Sequence, residues 1–430
     1  MSGDHTTSAL PLDLLPDTSV ASADGRLRVG GVDVLELAEQ YGTPLFVYDE
    51  AHLRARCREA REVFGPDGAV YATKAFLCRA MARLVHEEGL RLDVATGGEL
   101  EVALAAGVPA DRLVLHGNNK SLDELRRALE VGVGRVVVDS DDELERIEGL
   151  VAGGLAVPSV LVRINPGIDV HTHEHVRTGN LDSKFGFPVP TGQAHDAVQR
   201  ARSSPAMELR GVHLHIGSQV FSVANFLDGL SAVAPFVREH EPEELVVGGG
   251  LGVAYLAGET APSITEWGSA VLERCRTEGI TARISAEPGR AIAAGAAITL
   301  YTVGTVKYLP GVRTYVAVDG GMSDNPRPVL YGSGYETFLP RAVSSRREMP
   351  IRLVGKHCES GDLLVRDGLV PADLAVGDVV ATPVTGAYGH SMGSNYNKVL
   401  RPPVVFVADG TARLVVRRET LDDLLATDVG

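Results

Sequence analysis

The chain has 430 residues, 44% hydrophobic and 23% charged, with a formal net charge of −15 at pH 7. That length exceeds one ordinary core and predicts two domains. The acidic balance excludes nucleic acid or an anionic membrane as the main partner, and no run is apolar enough to span a bilayer. The four cysteines, Cys57, Cys78, Cys275 and Cys358, are scattered with no CxxC pair, which predicts a reducing, cytoplasmic setting and no disulfide or structural zinc framework.

Residues 1–22 are rich in Ser, Thr, Pro and Asp without periodicity and read as a flexible tail. Their short apolar patch, Ala9 to Leu15, has no basic segment before it and does not fit a signal peptide. A strand at Leu27–Val29 and a helix at Val34–Tyr41 follow. After Gly42-Thr43-Pro44 the run Leu45–Tyr48 opens the main body.

From there strands and helices alternate. β-branched, apolar runs lie at Ala69–Thr73, Leu90–Ala95, Arg112–His116, Arg135–Asp139, Val160–Asn165, Arg210–Ile216, Leu245–Val247 and Ala282–Ala286. Helical periodicity fills most gaps, at Ala75–Glu88, Glu99–Ala106, Leu122–Val131, Asp141–Leu150, Gln193–Ser203, Phe226–His240 and Ile264–Glu278. The alternation predicts an α/β class with a parallel sheet. Eight strands are the number that closes a (β/α)8 TIM barrel, here over 44–299, with an open doubly wound sheet as the competitor. After Thr299 short strands follow turn residues without helices: Tyr301–Lys307, Arg313–Val318, Ile351–His357, Val379–Pro383, Val404–Val407 and Ala412–Val416. They predict a second, antiparallel β-barrel or sandwich domain over 300–430, joined by 23–43.

Polar residues collect where the first eight strands end: Lys74, Asp93, His116, Asp139, Arg163 with Asn165, His215, Gly248-Gly249-Gly250 and Glu287. In a barrel these ends converge on the face that carries active sites. Lys74 there would sit at the mouth of a packed core, where desolvation lowers an amine's pKa and makes it a nucleophile. On a solvated rim it would only mark a strand end. Gly248-Gly249-Gly250-Leu251-Gly252 suits main-chain N–H contacts to phosphate, or simply a tight turn. Glu287 and Arg290 frame Glu-Pro-Gly-Arg, an acid for a pyridine nitrogen and a guanidinium for an anion, or else a salt-bridged turn. In His213-Leu214-His215-Ile216-Gly217-Ser218 the two histidines share a strand face, with no third metal ligand in sight. His171-Thr172-His173-Glu174-His175 reads as a loop over the pocket rather than a metal cluster, and no metal is assigned. Cys358, between His357 and Glu359, is a proton donor or a small hydrophobe. Arg327, with Tyr331 soon after, could clamp a carboxylate.

These segments share an order with a known family. YATKAF (71–76), LDVATGGEL (92–100), HGNNKS (116–121), HTHEH (171–175), KFGF (184–187), HLHIGSQ (213–219), GGGLG (248–252), EPGR (287–290), GGMSDNPRP (320–328), CESGD (358–362), GAYGHSMGSNYN (386–397) and RRET (417–420) resemble the diaminopimelate decarboxylases. These are pyridoxal-phosphate enzymes of the alanine-racemase-like barrel class, which also holds ornithine and arginine decarboxylases. The resemblance runs nearly the whole length from about residue 24 and covers motifs of both expected domains.

It implies decarboxylation of meso-2,6-diaminopimelate to L-lysine and CO2, the last step of lysine biosynthesis. Lys74 would bind pyridoxal 5'-phosphate covalently, His215 stack on its ring and Glu287 partner its nitrogen. Ser218, Gly249, Gly250, Gly289 and Arg290 would contact its phosphate, with Tyr388 near cofactor and substrate. Arg290, Arg327, Tyr331, Glu359 and Tyr388 would bind substrate. Cys358 resembles a proton donor inserted by a second copy, which implies a homodimer with shared active sites. Two departures stand out. Phe76-Leu77-Cys78 follows Lys74-Ala75 where many members have Asn and Ser, and Gly389-His390 replaces a more usual cysteine-containing pair. Decarboxylation of an ornithine- or lysine-like amino acid is the alternative, although it would leave Arg327 without a distal carboxylate. A racemase would need a base on each face of Cα. A silent regulatory homologue should have lost Lys74 or Cys358, and both are present.

Overall fold

The computed structural model describes residues 9–167 and 182–430. Its chain contacts separate two units, 56–253 with 261–292, and the residues up to 55 with 254–260 and 293–430. No helix among the described residues is long and apolar enough to cross a membrane.

The main path of the first unit's sheet has eight strands, with the two-residue strand Phe187–Pro188 paired beside the fifth: β1 (Val70–Ala72), β2 (Arg91–Val94), β3 (Leu113–Leu115), β4 (Arg135–Val138), β5 (Ser159–Asn165), β6 (Glu208–His213), β7 (Glu244–Val246) and β8 (Arg283–Ser285). They pair in sequence order and every pairing is parallel. A parallel bridge between Ala69 and Ala286 joins the two ends, with Val70 N–H donating to Ala286 O at 3.0 Å, so the sheet closes into a barrel. Val70, Val114, Val137, Leu161 and Val246, from five different strands, pack as one buried cluster. Alternate β-branched and apolar side chains of short strands fill such an interior with a solid core rather than a pore.

The helices start where the sequence supplies a cap. Ser121 and Glu124 form a reciprocal capping box before Leu122–Val131, as Ser263 and Glu266 do before Ile264–Thr277. Thr96 and Ser140 cap Gly97–Ala105 and Asp141–Ala152. These caps hold each helix start beside a strand's carboxyl end and so fix the loops between them.

The second unit carries an eight-stranded sheet around Ala297–Leu309. Most of its pairings are antiparallel, as expected. Two are parallel: Arg313–Val318 with Met349–Val354, and Val404–Ala408 with Leu45–Asp49. Leu45–Asp49, expected to open the barrel, instead lies between Ala297–Leu309 and Val404–Ala408 in this sheet, with all five residues buried. The strand at Leu27–Val29 belongs to a separate three-stranded sheet with Val20–Ala21 and Val32–Asp33. Residues 9–22 do not behave as a tail. Leu10, Leu14 and Leu15 are buried, and Thr18 donates its hydroxyl proton to Asp49 at 2.8 Å. Three buried leucines supply the apolar area that the Ser/Thr/Pro composition concealed.

Candidate active site

In the barrel unit a chain of charges crosses the carboxyl ends of the strands. Lys74 lies in a single 3-10 turn, Thr73–Ala75, directly after β1. Thr73 secures that turn by donating its hydroxyl proton to Asp93 O at 2.6 Å. The Lys74 ammonium donates to Asp93 Oδ2 at 3.1 Å, and its side chain is 46% exposed. The expectation of a desolvated lysine is therefore corrected: the amine stands at the open rim, paired with a carboxylate whose own side chain is 1% exposed.

Glu287, just past β8, is buried between two imidazoles. His213 Nε2 is 3.0 Å from Oε2 and His116 Nε2 is 3.0 Å from Oε1. The two rings meet edge-on, with centroids 5.0 Å apart. Burial would raise the Glu287 carboxyl, but His116 and His213 outweigh it and hold it well below the usual range. Burial lowers His213 in turn, and facing an ionised carboxylate its Nε2–H is the donor to Glu287. The His116 contact lies off the hydrogen-bonding direction. Glu287 Oε1 and Asp93 Oδ1 thus remain buried acceptors without a hydrogen-bond donor among the described residues. Sequence alone showed no third ligand for His213. The fold brings His116 and Glu287 to it, with ligand-type atoms all within 4.8 Å. One of those contacts is already a hydrogen bond within the protein.

His215 lies beyond the end of β6. Its Nδ1 accepts from Gly249 N–H at 3.3 Å, and burial with Arg163 and Lys74 nearby holds the imidazole well below its ordinary pKa. The glycine loop requires glycine. Gly250 has φ +101°, and a Cβ there would sit 1.9 Å from Gly217 O; one on Gly249 would sit 2.2 Å from Glu287 O. Val220 N–H donates to Gly250 O at 2.9 Å, locking the loops after β6 and β7 together. Ser218 Oγ accepts from Arg290 Nη2 at 3.3 Å, so a hydroxyl and a guanidinium meet beside that backbone. A Cβ on Gly289 would strike Ala72 O at 2.8 Å, so Gly289 lets the Arg290 turn approach the end of β1. On β5, Arg163 lies 3.5 Å from Asp139 and over the Phe185 ring.

This set fits pyridoxal phosphate. A free oxygen on a buried ionised carboxylate suits a pyridine nitrogen that carries a proton, a rim amine suits the aldehyde, and bare backbone beside Ser218 and Arg290 suits the phosphate. His116, His213 and Asp93 have partner roles that the sequence did not assign. Their position at strand ends was the available signal; which of them faces Glu287 or Lys74 was not readable.

The second unit has its own cluster. Arg327 is 3% exposed. Its guanidinium stacks 4.2 Å above Tyr255 and Nη1 donates to Tyr335 OH. No carboxylate partners it among the described residues, and its Nε has no hydrogen-bond partner there. Tyr255 and Tyr335 were not anticipated from sequence. Tyr331, on the same short helix Arg327–Tyr331, is 47% exposed. Cys358 and Glu359 occupy an exposed turn, where Glu359 Oε1 accepts from Gly361 N–H at 3.2 Å. Tyr388 is half-buried with φ +60°, and Val384 has φ +59°, a costly conformation for a β-branched residue. Tyr48 OH, donating to Gly386 O at 2.9 Å, steadies this loop. Burial lowers the His390 imidazole to about 4, with Arg401 contributing, and the ring packs edge-on against Phe46. The histidine-rich segment 171–175 lies outside the described residues.

Comparison with known proteins gives one consistent result. Residues 50–294 match the family model "Pyridoxal-dependent decarboxylase, pyridoxal binding domain". The chain is 47% identical to the diaminopimelate decarboxylase of Mycobacterium tuberculosis over 96% of its own length and 97% of that protein. It is 44% identical to the enzyme of that name from Bacillus subtilis, over 96% and 98%. A crystal structure of diaminopimelate decarboxylase from M. jannaschii in complex with L-lysine superposes with a TM-score of 0.88 at 32% identity, covering 96% of this chain and 98% of that one.

Proposed function

The chain belongs to the diaminopimelate decarboxylases, and from that premise we propose how its own residues divide the removal of one carboxylate from meso-2,6-diaminopimelate, which gives L-lysine and CO2. The observation that carries the reading is Glu287. It is a buried ionised carboxylate with one oxygen that receives no hydrogen bond among the described residues, and β8 adjoins β1, whose end presents Lys74. Pyridoxal phosphate supplies an electron sink for the bond pair left at Cα when CO2 departs.

Lys74 is the covalent anchor, and Asp93 keeps its amine at the rim. Glu287 holds the proton at the pyridine nitrogen, with His213 fixing its other oxygen. His215, neutral at working pH, covers the ring face. Ser218, Gly249, Gly250, Gly289 and Arg290 hold the phosphate. Arg327 takes the distal carboxylate of the substrate, which supplies the counter-charge its buried guanidinium lacks. Glu359 takes the distal ammonium, Tyr331 and Tyr388 border the substrate, and Cys358 returns a proton to Cα. Cys358 and Glu359 act on the site of a second copy, so the working form is a homodimer in the cytoplasm; their exposed turn and the four free cysteines support this. We assign 56–253 with 261–292 as the cofactor-binding body, and the residues up to 55 with 254–260 and 293–430 as the β domain.

The test is CO2 release by purified protein with pyridoxal phosphate across diaminopimelate, ornithine, lysine and arginine. Diaminopimelate should be turned over at least about a hundredfold faster in kcat/KM than any of the others. Equal rates on ornithine or lysine would replace this reading with a broader decarboxylase.

A further inference from the structure

The backbone of Cys358 is tied to an amide from a turn far along the chain. Cys358 N–H donates to Asn397 Oδ1 at 3.2 Å, and His357 Nδ1 lies 3.2 Å from the same oxygen. The Cys358 N–H needs an acceptor, which fixes the oxygen of the Asn397 amide at this position. An amide oxygen only accepts, so His357 Nδ1 carries the proton. On the far side of the ring His357 Nε2 lies 2.8 Å from Ser323 Oγ.

The histidine is held from behind. It is buried, and its backbone N–H donates to Asp362 Oδ2 at 2.8 Å, while Asp362 Oδ1 accepts Met322 N–H at 2.7 Å. Asn397 sits at φ +50°, a left-handed conformation that Asn tolerates better than most residues. Tyr396 places its ring 5.4 Å from that of His357. A buried imidazole thus orients an amide, and the amide pins the residue that bears the thiol.

We propose that Asn397, oriented by His357, is the positioning residue for the Cys358 thiol. The clamp acts on the backbone of Cys358 and does not touch the reacting atoms. This inference rests on Cys358 being the proton donor to Cα.

Cys57, Cys78 and Cys275 are buried within their own chain and Cys358 is not, so alkylation of the holoenzyme by iodoacetamide, located by peptide mapping, reports on Cys358 at the shared site. Asn397→Ala should lower kcat about tenfold or more with KM changed less than about twofold, and leave pyridoxal phosphate bound at full occupancy. It should also raise the alkylation rate of Cys358 by about threefold or more, because the turn is no longer pinned. Asn397→Asp, which keeps an acceptor in place, should restore both values towards wild type. An unchanged alkylation rate in Asn397→Ala, or an Asp variant as impaired as the Ala one, overturns the clamp. Turnover retained by Cys358→Ala would sink the proton-donor reading and the clamp's purpose with it. If Cys358→Ala is inactive while Asn397→Ala keeps its kcat, the clamp alone is wrong.

Discussion

The two clusters differ in how their charges are balanced. At the barrel mouth each ionic group meets a partner from the chain itself: Lys74 meets Asp93, Glu287 meets His116 and His213, Arg163 meets Asp139. In the second unit Arg327 is also buried, yet among the described residues its guanidinium meets aromatic rings and the Tyr335 hydroxyl and no carboxylate. A self-balanced site is stable before anything binds and can hold a cofactor permanently. A buried cation without a counter-ion is costly until an anion arrives. The first arrangement suits a resident group and the second a visiting one.

The largest test of that contrast is Lys74→Ala. Loss of the anchoring amine should reduce CO2 release by at least about a thousandfold and remove the visible absorbance of protein-bound pyridoxal. Retained turnover would show that the barrel-mouth cluster is not where the chemistry happens. Next is Arg327→Met, which replaces an uncompensated buried charge by an apolar side chain of similar length. It should cost about 100-fold in kcat/KM with diaminopimelate, near 3 kcal/mol, and much less with lysine or ornithine. Urea unfolding of the same variant should show equal or greater stability than wild type. A marked loss of stability would mean that Arg327 is structurally compensated and the contrast fails.

The smallest effect concerns a second uncompensated charge near the Cys358 turn. Burial pushes the Asp324 carboxyl up to about 7, against the nearby Tyr301 hydroxyl and hydrogen bonds from Gly321 and Ser323, with Asp362 adding to the rise. The folded chain keeps this proton up to about pH 7, whereas the unfolded chain loses it near the ordinary 3.8. Its contribution therefore favours folding at acid pH and is lost as pH rises through that window. Asp324→Asn should flatten this slope, gaining stability relative to wild type as pH goes from about 5 to about 8. Urea midpoints at the two values measure it, and a slope identical to wild type would show that Asp324 is ionised in the folded state.

Much of the barrel was legible because its signal is local. Apolar strands and helical periods alternate, and the caps at Ser121 and Ser263 stand next to the helices they start. The helix Glu50–Phe64 escaped notice, since its buried stripe is Leu53, Cys57, Ala60 and Phe64 among charged residues. The strand Leu363–Val370 is interrupted in composition by exposed Arg366 and Asp367. Leu45–Tyr48 was read only as the apolar run that opens the barrel body; it is a strand of the other sheet, because an apolar run does not name its partner. The site divides the same way. Lys74, Glu287 and the glycines announce themselves by type and place. The roles of His116, His213, Tyr255 and Tyr335 depend on which side chains the fold brings face to face.

The placement of Leu45–Asp49 also has a consequence for how the chain is made. This strand leaves the ribosome well before one of its neighbours, Val404–Ala408. Between them the barrel residues 56–292 emerge and can fold as a unit, aside from the short excursion at 254–260. Until both neighbours have emerged, a buried five-residue strand waits with at least one edge unpaired, which is a template for joining another nascent chain. Stalled or C-terminally truncated chains should therefore aggregate through this segment even when their barrels are intact.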